Sequence, residues 1–149
     1  MIDWNHYDTA SPDQTKEHAA RFAETLLAGD VVVLRGELGA GKTQFAKGIA
    51  RGFWLDEEEV ASPTYALVNE YDIKMNDGSD GKLYHLDCYR FEKPEELLEL
   101  GVEEYLYPKQ AISIIEWPER IEQYLPEHYI EVHIEELTPL GRKITITKK

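Results

Sequence analysis

The chain has 149 residues, carries 16 Lys and Arg against 29 Asp and Glu for a formal charge of −13, and is 42% hydrophobic and 11% aromatic. Those figures suit one folded domain with a real core and exclude a disordered chain. So acidic a balance argues against a surface that grips phosphate backbones directly, which needs clustered Lys and Arg. The one cysteine, Cys88, excludes an internal disulfide framework and a Cys-based zinc site, and fits a reducing compartment.

In chain order, the N-terminal MIDWNHYDTA lacks the basic and apolar regions of a signal peptide. No later stretch approaches the roughly 20 apolar residues of a membrane span. A cytoplasmic protein without a membrane partner is expected. A first helix is announced by Ser11 as N-cap, Pro12 at the first helical position and Gln14 completing a capping box. Ala19, Phe22, Ala23, Leu26 and Leu27 recur at helical spacing, and Gly29 is the expected stop. Val31 to Leu34 is a continuous β-branched run of the kind found in a central parallel strand covered on both faces. A loop from Gly36 to Gly41 leads into a helix from about Lys42 to Phe53, with Phe45, Ile49 and Ala50 on one face.

Ala66 to Ile73 and Leu83 to Asp87 read as strands joined by a hairpin connection through Asn76–Gly81. A calcium loop counted from Asp72 would put Lys74 and Leu83 where oxygen ligands are needed, so the turn reading stands. A helix from Pro94 to Gly101 with Leu97 and Leu98 inward comes next, then a strand from Ala111 to Glu116 and a short helix containing Ile121 and Leu125. Strands Tyr129–Ile134 and Lys143–Thr147 flank a turn at Pro139–Gly141. With no repeat, low-complexity segment or linker, residues 1–149 are expected to form a single α/β domain with a sheet of mixed direction.

The chemistry concentrates in Gly36-Glu37-Leu38-Gly39-Ala40-Gly41-Lys42-Thr43, which satisfies the phosphate-loop pattern G-x-x-x-x-G-K-[ST]. Small residues let successive N–H groups face one anion, and the following helix adds its positive N-terminal end. Lys42 would bridge the β- and γ-phosphates, and the Thr43 hydroxyl would serve Mg²⁺. The placement between a Val-rich strand and an amphipathic helix supports that reading over a merely structural Gly-rich turn.

Hydrolysis needs acids on neighbouring strand ends. Asp87 closes Leu83–Asp87 in the Walker B position, to hold Mg²⁺ directly or through water, unless it is a cap or loop aspartate. Glu116 closes Ala111–Glu116 and could ligate the metal or orient the attacking water, or be a solvated strand-end glutamate. Thr64, in Ser62-Pro63-Thr64-Tyr65, could reach the γ-phosphate as switch segments do, although Ser-Pro-Thr is also ordinary loop chemistry. His85 shares a strand face with Asp87 and is expected as a packed, hydrogen-bonded side chain. Arg90 could sense phosphate, bind a partner or form a structural ion pair, and Trp117 could cover the site, anchor a partner or sit in the core. The absence of N-K-x-D removes the usual guanine reader and favours ATP, with Ser11–Thr15 offering donors and acceptors for a base.

The phosphate loop, then Ser62-Pro63-Thr64-Tyr65, His85-Leu86-Asp87-Cys88-Tyr89-Arg90, Pro94-Glu95-Glu96-Leu97 and Ile115-Glu116-Trp117-Pro118, in this order and spacing, resemble the TsaE family, also called YjeE or YdiB. These are bacterial P-loop ATPases of tRNA threonylcarbamoyladenosine biosynthesis. The resemblance spans nearly the whole chain. It implies a P-loop NTPase-like three-layer sandwich around a central mixed, mainly parallel sheet. It also implies ATP and Mg²⁺ as cofactors, and TsaB and TsaD as partners that connect the chain to tRNA only indirectly. ATP contacts carry over to Asp13, Thr15 and Glu37, Leu38, Gly39, Ala40, Gly41, Lys42 and Thr43, and Mg²⁺ to Thr43 and Glu116. Asp87 takes the Walker B role and Thr64 that of a switch residue. Two departures are small: Glu37 stands where Asp is usual, and Cys88 where Leu or Val is frequent. The Asn76–Gly81 segment lengthens the hairpin relative to many relatives. A small-molecule P-loop kinase and a nucleotide-gated interaction module are the alternatives. The kinase would need a lid and acceptor pocket, for which 149 residues leave little room.

Overall fold

A computed structural model describes residues 6–37, 39–56, 58, 60, 68–89, 93, 95–99 and 101–149. The elements are strand β1 (His6–Thr9), helix α1 (Pro12–Ala23), β2 (Val31–Arg35), α2 (Lys42–Gly52), β3 (Val68–Lys74), β4 (Asp80–Asp87), two short helices α3 (Glu95–Glu99) and α4 (Glu103–Leu106), β5 (Ala111–Glu116), a 3₁₀ segment (Pro118–Tyr124), β6 (Ile130–Glu136) and β7 (Arg142–Lys148). They form one seven-stranded sheet in the order β1-β7-β6-β2-β5-β4-β3. Its centre, β6-β2-β5-β4, is parallel, and both edges are closed by antiparallel pairs. This is the expected mixed, mainly parallel α/β sheet.

Alternation along the strands divides the core in two. Val32, Leu34, Ile112, Ile114 and Leu83 face α1 and α2, packing on Ala19, Phe22, Phe45 and Ile49. Val31, Val33, Ile115, Tyr84 and Leu86 face the other way, onto Val102, Leu106 and Ile121. Two helical layers therefore enclose the sheet, and every residue of β5 is buried. Burial on both faces is why β2 and β5 read as unbroken apolar runs.

Several boundaries differ from expectation for identifiable reasons. Helix α1 is capped as read, with Ser11 Oγ accepting from the Gln14 N–H, but it ends at Ala23 instead of running toward Gly29. The Asn76 side-chain amide donates to the Ala23 and Leu26 carbonyls at 3.0 and 2.7 Å, satisfying the helix's last acceptors from another element. Beyond this stop Leu26 is buried while Leu27 is 66% exposed, contrary to its place on the apolar stripe. The turn of this hairpin thus serves α1, and β4 begins at Asp80, three residues earlier than expected.

Leu98, expected inward, is 53% exposed, because α3 is a five-residue turn and the core contacts come from Val102 and Leu106 after it. The inward placement of Leu97, the expected helix start at Pro94 and residues 66–67 of the expected third strand lie outside what is described. The expected short helix is a 3₁₀ segment that contains Ile121, which is buried, while Leu125 falls just after it. Strand β1, which no local signal announced, pairs with β7 across almost the whole chain.

Candidate nucleotide site

Three parallel strands end at one place. Leu34 of β2 and Asp87 of β4 are both registered on Glu116 of β5, so the loop after β2 emerges beside two carboxylates on neighbouring strands. Leu34, Glu116, Asp87 and His85 fall on the sheet face shared with α2, by the same alternation that sorts the core. The sheet itself assembles the group: interstrand hydrogen bonds, not a flexible loop, place Asp87 beside Glu116.

The loop leaves β2 at Gly36, where a Cβ would lie 2.6 Å from the Ile134 carbonyl of β6, so no larger residue fits without a shift. The Ala40 N–H donates to the Glu37 carbonyl at 3.0 Å, and the chain enters α2 through Gly41 at φ 108°, a left-handed conformation that favours glycine. No side chain caps α2, so its first-turn N–H groups receive no capping oxygen from Gly41. That helix start carries the positive end of the peptide dipoles, an arrangement that favours an anion.

Lys42 is only 5% exposed. Its ammonium donates to the Gly36 carbonyl at 2.5 Å and lies 3.2 Å from the centre of the Trp117 ring. Burial lowers its pKa, while Glu116, Glu119 and Asp87 pull the other way. Trp117 holds its place in a left-handed backbone conformation, φ 58°, and its ring packs 4.9 Å from Tyr89. It therefore covers the site and lines the core of the far layer at once, joining two of the roles its sequence position left open.

The acids differ in environment. Glu116 is 3% exposed, with its Oε2 2.5 Å from His85 Nε2. Burial lifts the Asp87 carboxyl above its ordinary range, with Glu116 adding to the shift, while the Tyr89 N–H donates to it at 3.0 Å and pulls it down. Among the described residues no three His, Cys, Asp or Glu side chains are grouped to hold a metal alone. The donor set suits Mg²⁺ nonetheless, because that ion is usually held by one or two carboxylates completed by substrate phosphates and water.

Other predicted residues are placed as follows. The first turn of α1 lies at the phosphate-loop end of the molecule, since α1 and α2 run side by side with Lys16 against Gly48 and Ala20 against Gly52. There Asp13 is exposed, while Thr15 is buried and its hydroxyl shares a 2.7 Å hydrogen bond with Thr9. Glu37 and Gly39 are exposed, Ala40 is buried and Thr43 is half-buried. Leu38, Thr64 with its Ser-Pro-Thr-Tyr segment, and Arg90 lie outside the described residues.

Two arginines that carried no sequence signal tie down this end of the sheet, one at the loop and one at the end of β2. Arg142, at the start of β7, donates to the Ala40 carbonyl at 2.6 Å and to Gly39 at 3.4 Å, bracing the loop from outside. Arg35, the last residue of β2, meets Glu131 at 2.5 Å, Glu122 at 2.6 Å and Glu119 at 3.6 Å. Burial would lower its pKa, but the bonds to Glu122 and Glu131 outweigh it and raise the net value.

Against known proteins, the family described as "Threonylcarbamoyl adenosine biosynthesis protein TsaE" matches residues 9–144. The chain belongs to the TsaE family. Proteins named "tRNA threonylcarbamoyladenosine biosynthesis protein TsaE" include one of Bacillus subtilis (strain 168), 40% identical over 93% of this chain and 82% of its own length. Another, of Rickettsia bellii, is 37% identical over 93% and 92%, and one of Treponema pallidum is 38% identical over 91% and 95%. The crystal structure of Bacillus subtilis YdiB superposes with a TM-score of 0.73 at 33% identity, covering 95% of this chain and 82% of that one. In this TsaE-family chain the start of α2, Asp87 and Glu116 thus share one end of the sheet, with the Trp117 ring against Lys42.

Proposed function

We propose that this TsaE-family chain binds ATP with Mg²⁺, hydrolyses it to ADP and phosphate, and so serves formation of the threonylcarbamoyl group on the adenosine beside the tRNA anticodon, acting with TsaB and TsaD. The observation that carries the enzymatic part is the registry of the phosphate loop, Glu116 and Asp87 at adjoining ends of three parallel strands. The tRNA pathway rests on family membership and on the names of the relatives.

In the proposed reaction the N–H groups at the start of α2 and the Lys42 ammonium hold the β- and γ-phosphates, and the water-excluding wall of Trp117 strengthens that attraction. Thr43 and Glu116 would hold Mg²⁺, which neutralises charge that develops on the transferring phosphoryl group. Asp87, registered beside Glu116 on the neighbouring strand, would then be free to accept a hydrogen bond from the attacking water and draw off its proton. The −13 charge supports a contact with tRNA made through the partner proteins, where a basic surface would complement an acidic face.

The test is ATP turnover and phosphate release, measured alone and with TsaB, TsaD and tRNA. Slow turnover alone and faster turnover with the partners is expected, and Lys42→Ala should abolish it with the circular dichroism spectrum intact. Undiminished turnover in Lys42→Ala would remove the site. Stimulation by no combination of partners would remove the pathway assignment.

A further inference from the structure

The proposed metal ligand Glu116 has a neighbour for which the reaction above has no use. His85 is 1% exposed, stands two residues before Asp87 on the same face of β4, and puts Nε2 2.5 Å from Glu116 Oε2. Its other ring nitrogen, Nδ1, is buried and has no hydrogen-bond partner among the described residues. Among the described residues the one side-chain hydrogen bond that orients this buried imidazole goes to Glu116.

The unpaired nitrogen also decides the direction of that bond. An ionised Glu116 has only acceptors, so Nε2 carries the hydrogen, and in the neutral ring Nδ1 is then a lone pair. With the roles reversed, a protonated Glu116 would donate to Nε2 and an N–H on Nδ1 would be buried with no acceptor. Orphaned buried donors are rarer than under-used acceptors. The Nε2–H tautomer donating to the carboxylate is therefore the arrangement that leaves less unsatisfied.

We infer that His85 is a positioning residue for the metal: it occupies Glu116 Oε2, fixes the plane of the carboxylate, and leaves Oε1 as the oxygen presented to Mg²⁺. The inference rests on the proposed role of Glu116 and extends it to a residue that touches neither nucleotide nor ion. Ligand carboxylates are commonly oriented in this way, and loss of such an outer partner typically weakens metal affinity about 10–100-fold. Asp87 needs no equivalent, because its own orientation comes from the Tyr89 N–H.

The experiment titrates Mn²⁺, followed by electron paramagnetic resonance, into the full chain loaded with a non-hydrolysable ATP analogue. His85→Ala, His85→Asn and His85→Gln are compared with the wild type, and each is melted in chelator to establish that it folds. A glutamine amide can reach the position of the imidazole Nε2, whereas an asparagine amide reaches only that of Nδ1. Expected are a 10–100-fold weaker Mn²⁺ affinity for Ala and Asn, recovery with Gln, unchanged affinity for the metal-free analogue, and a nitrogen-15 spectrum of the wild type with the proton on Nε2. Wild-type Mn²⁺ affinity in folded His85→Ala and His85→Asn overturns the positioning role alone. So does a folded His85→Gln that binds as weakly as His85→Ala. A wild-type chain that adds nothing to the Mn²⁺ affinity of the free analogue overturns the metal role of Glu116, and this inference with it.

Discussion

Gly48 lies in the middle of α2, where replacing glycine by alanine ordinarily stabilises a helix by about 1 kcal/mol. Here the opposite is expected. A Cβ at Gly48 would lie 2.5 Å from the Ala19 Cβ and 2.5 Å from the Lys16 carbonyl oxygen, and one of those is backbone that no rotamer change can move aside. To restore ordinary contact α1 and α2 must separate by close to 1 Å, which loosens Phe22 against Phe45, whose ring centroids are 5.8 Å apart. Overpacking of this kind costs about 1–3 kcal/mol. After the helix gain, Gly48→Ala should lose up to about 2 kcal/mol, or up to about 8 °C in Tm for a domain of this size. Urea unfolding followed by circular dichroism reads it directly: the midpoint should fall at constant slope. A midpoint that rises would mean that the helices are not in the close contact described, and would refute the reasoning.

Arg35→Met should cost about 2 kcal/mol, between an exposed pair and a buried one, because it leaves the mostly buried Glu131 with only Lys149 at 3.8 Å; an unchanged Tm would show that the cluster contributes nothing. Asp87→Asn should stabilise the free chain at pH 7. Since burial raises the folded-state pKa, stability is fully present below the unfolded value and is lost as pH rises through the folded one. The advantage of Asn should therefore vanish on acidification, and equal stabilities of the two chains at pH 7 would contradict it. Cys88 is fully buried and its thiol is pushed up to about 12, first by burial and then by Asp87. A thiol reagent at pH 8 should label no cysteine in the native chain and one in urea.

The parts of the molecule written in adjacent residues were legible beforehand. Val31–Leu34, the phosphate loop and α2 form one continuous signal, and Ala111–Glu116 could be read because burial on both faces demands an apolar run. Asp87 and Glu116 were recognisable as strand-end acids, but their shared register depends on β4 and β5 pairing directly. What escaped depends on partners far away in the chain: β1 is defined by β7, the end of α1 by Asn76, and the bracing of the loop by Arg142. Leu27 shows the same limit from the other side, for helical spacing assigns a residue to a face only while the helix lasts.

The resting position of Lys42 has a consequence for how the site fills. Its ammonium is held by the Gly36 carbonyl and the Trp117 face, contacts with which a bound phosphate would compete. Under the proposed reaction, nucleotide entry is then a substitution in which one occupant leaves as another arrives, and the measured affinity is net of a cation–π contact worth about 1–2 kcal/mol. The same exchange strips a cation from one particular ring. Trp117 emission should then report loading without a label, over the emission of the chain's two other tryptophans, Trp4 and Trp54.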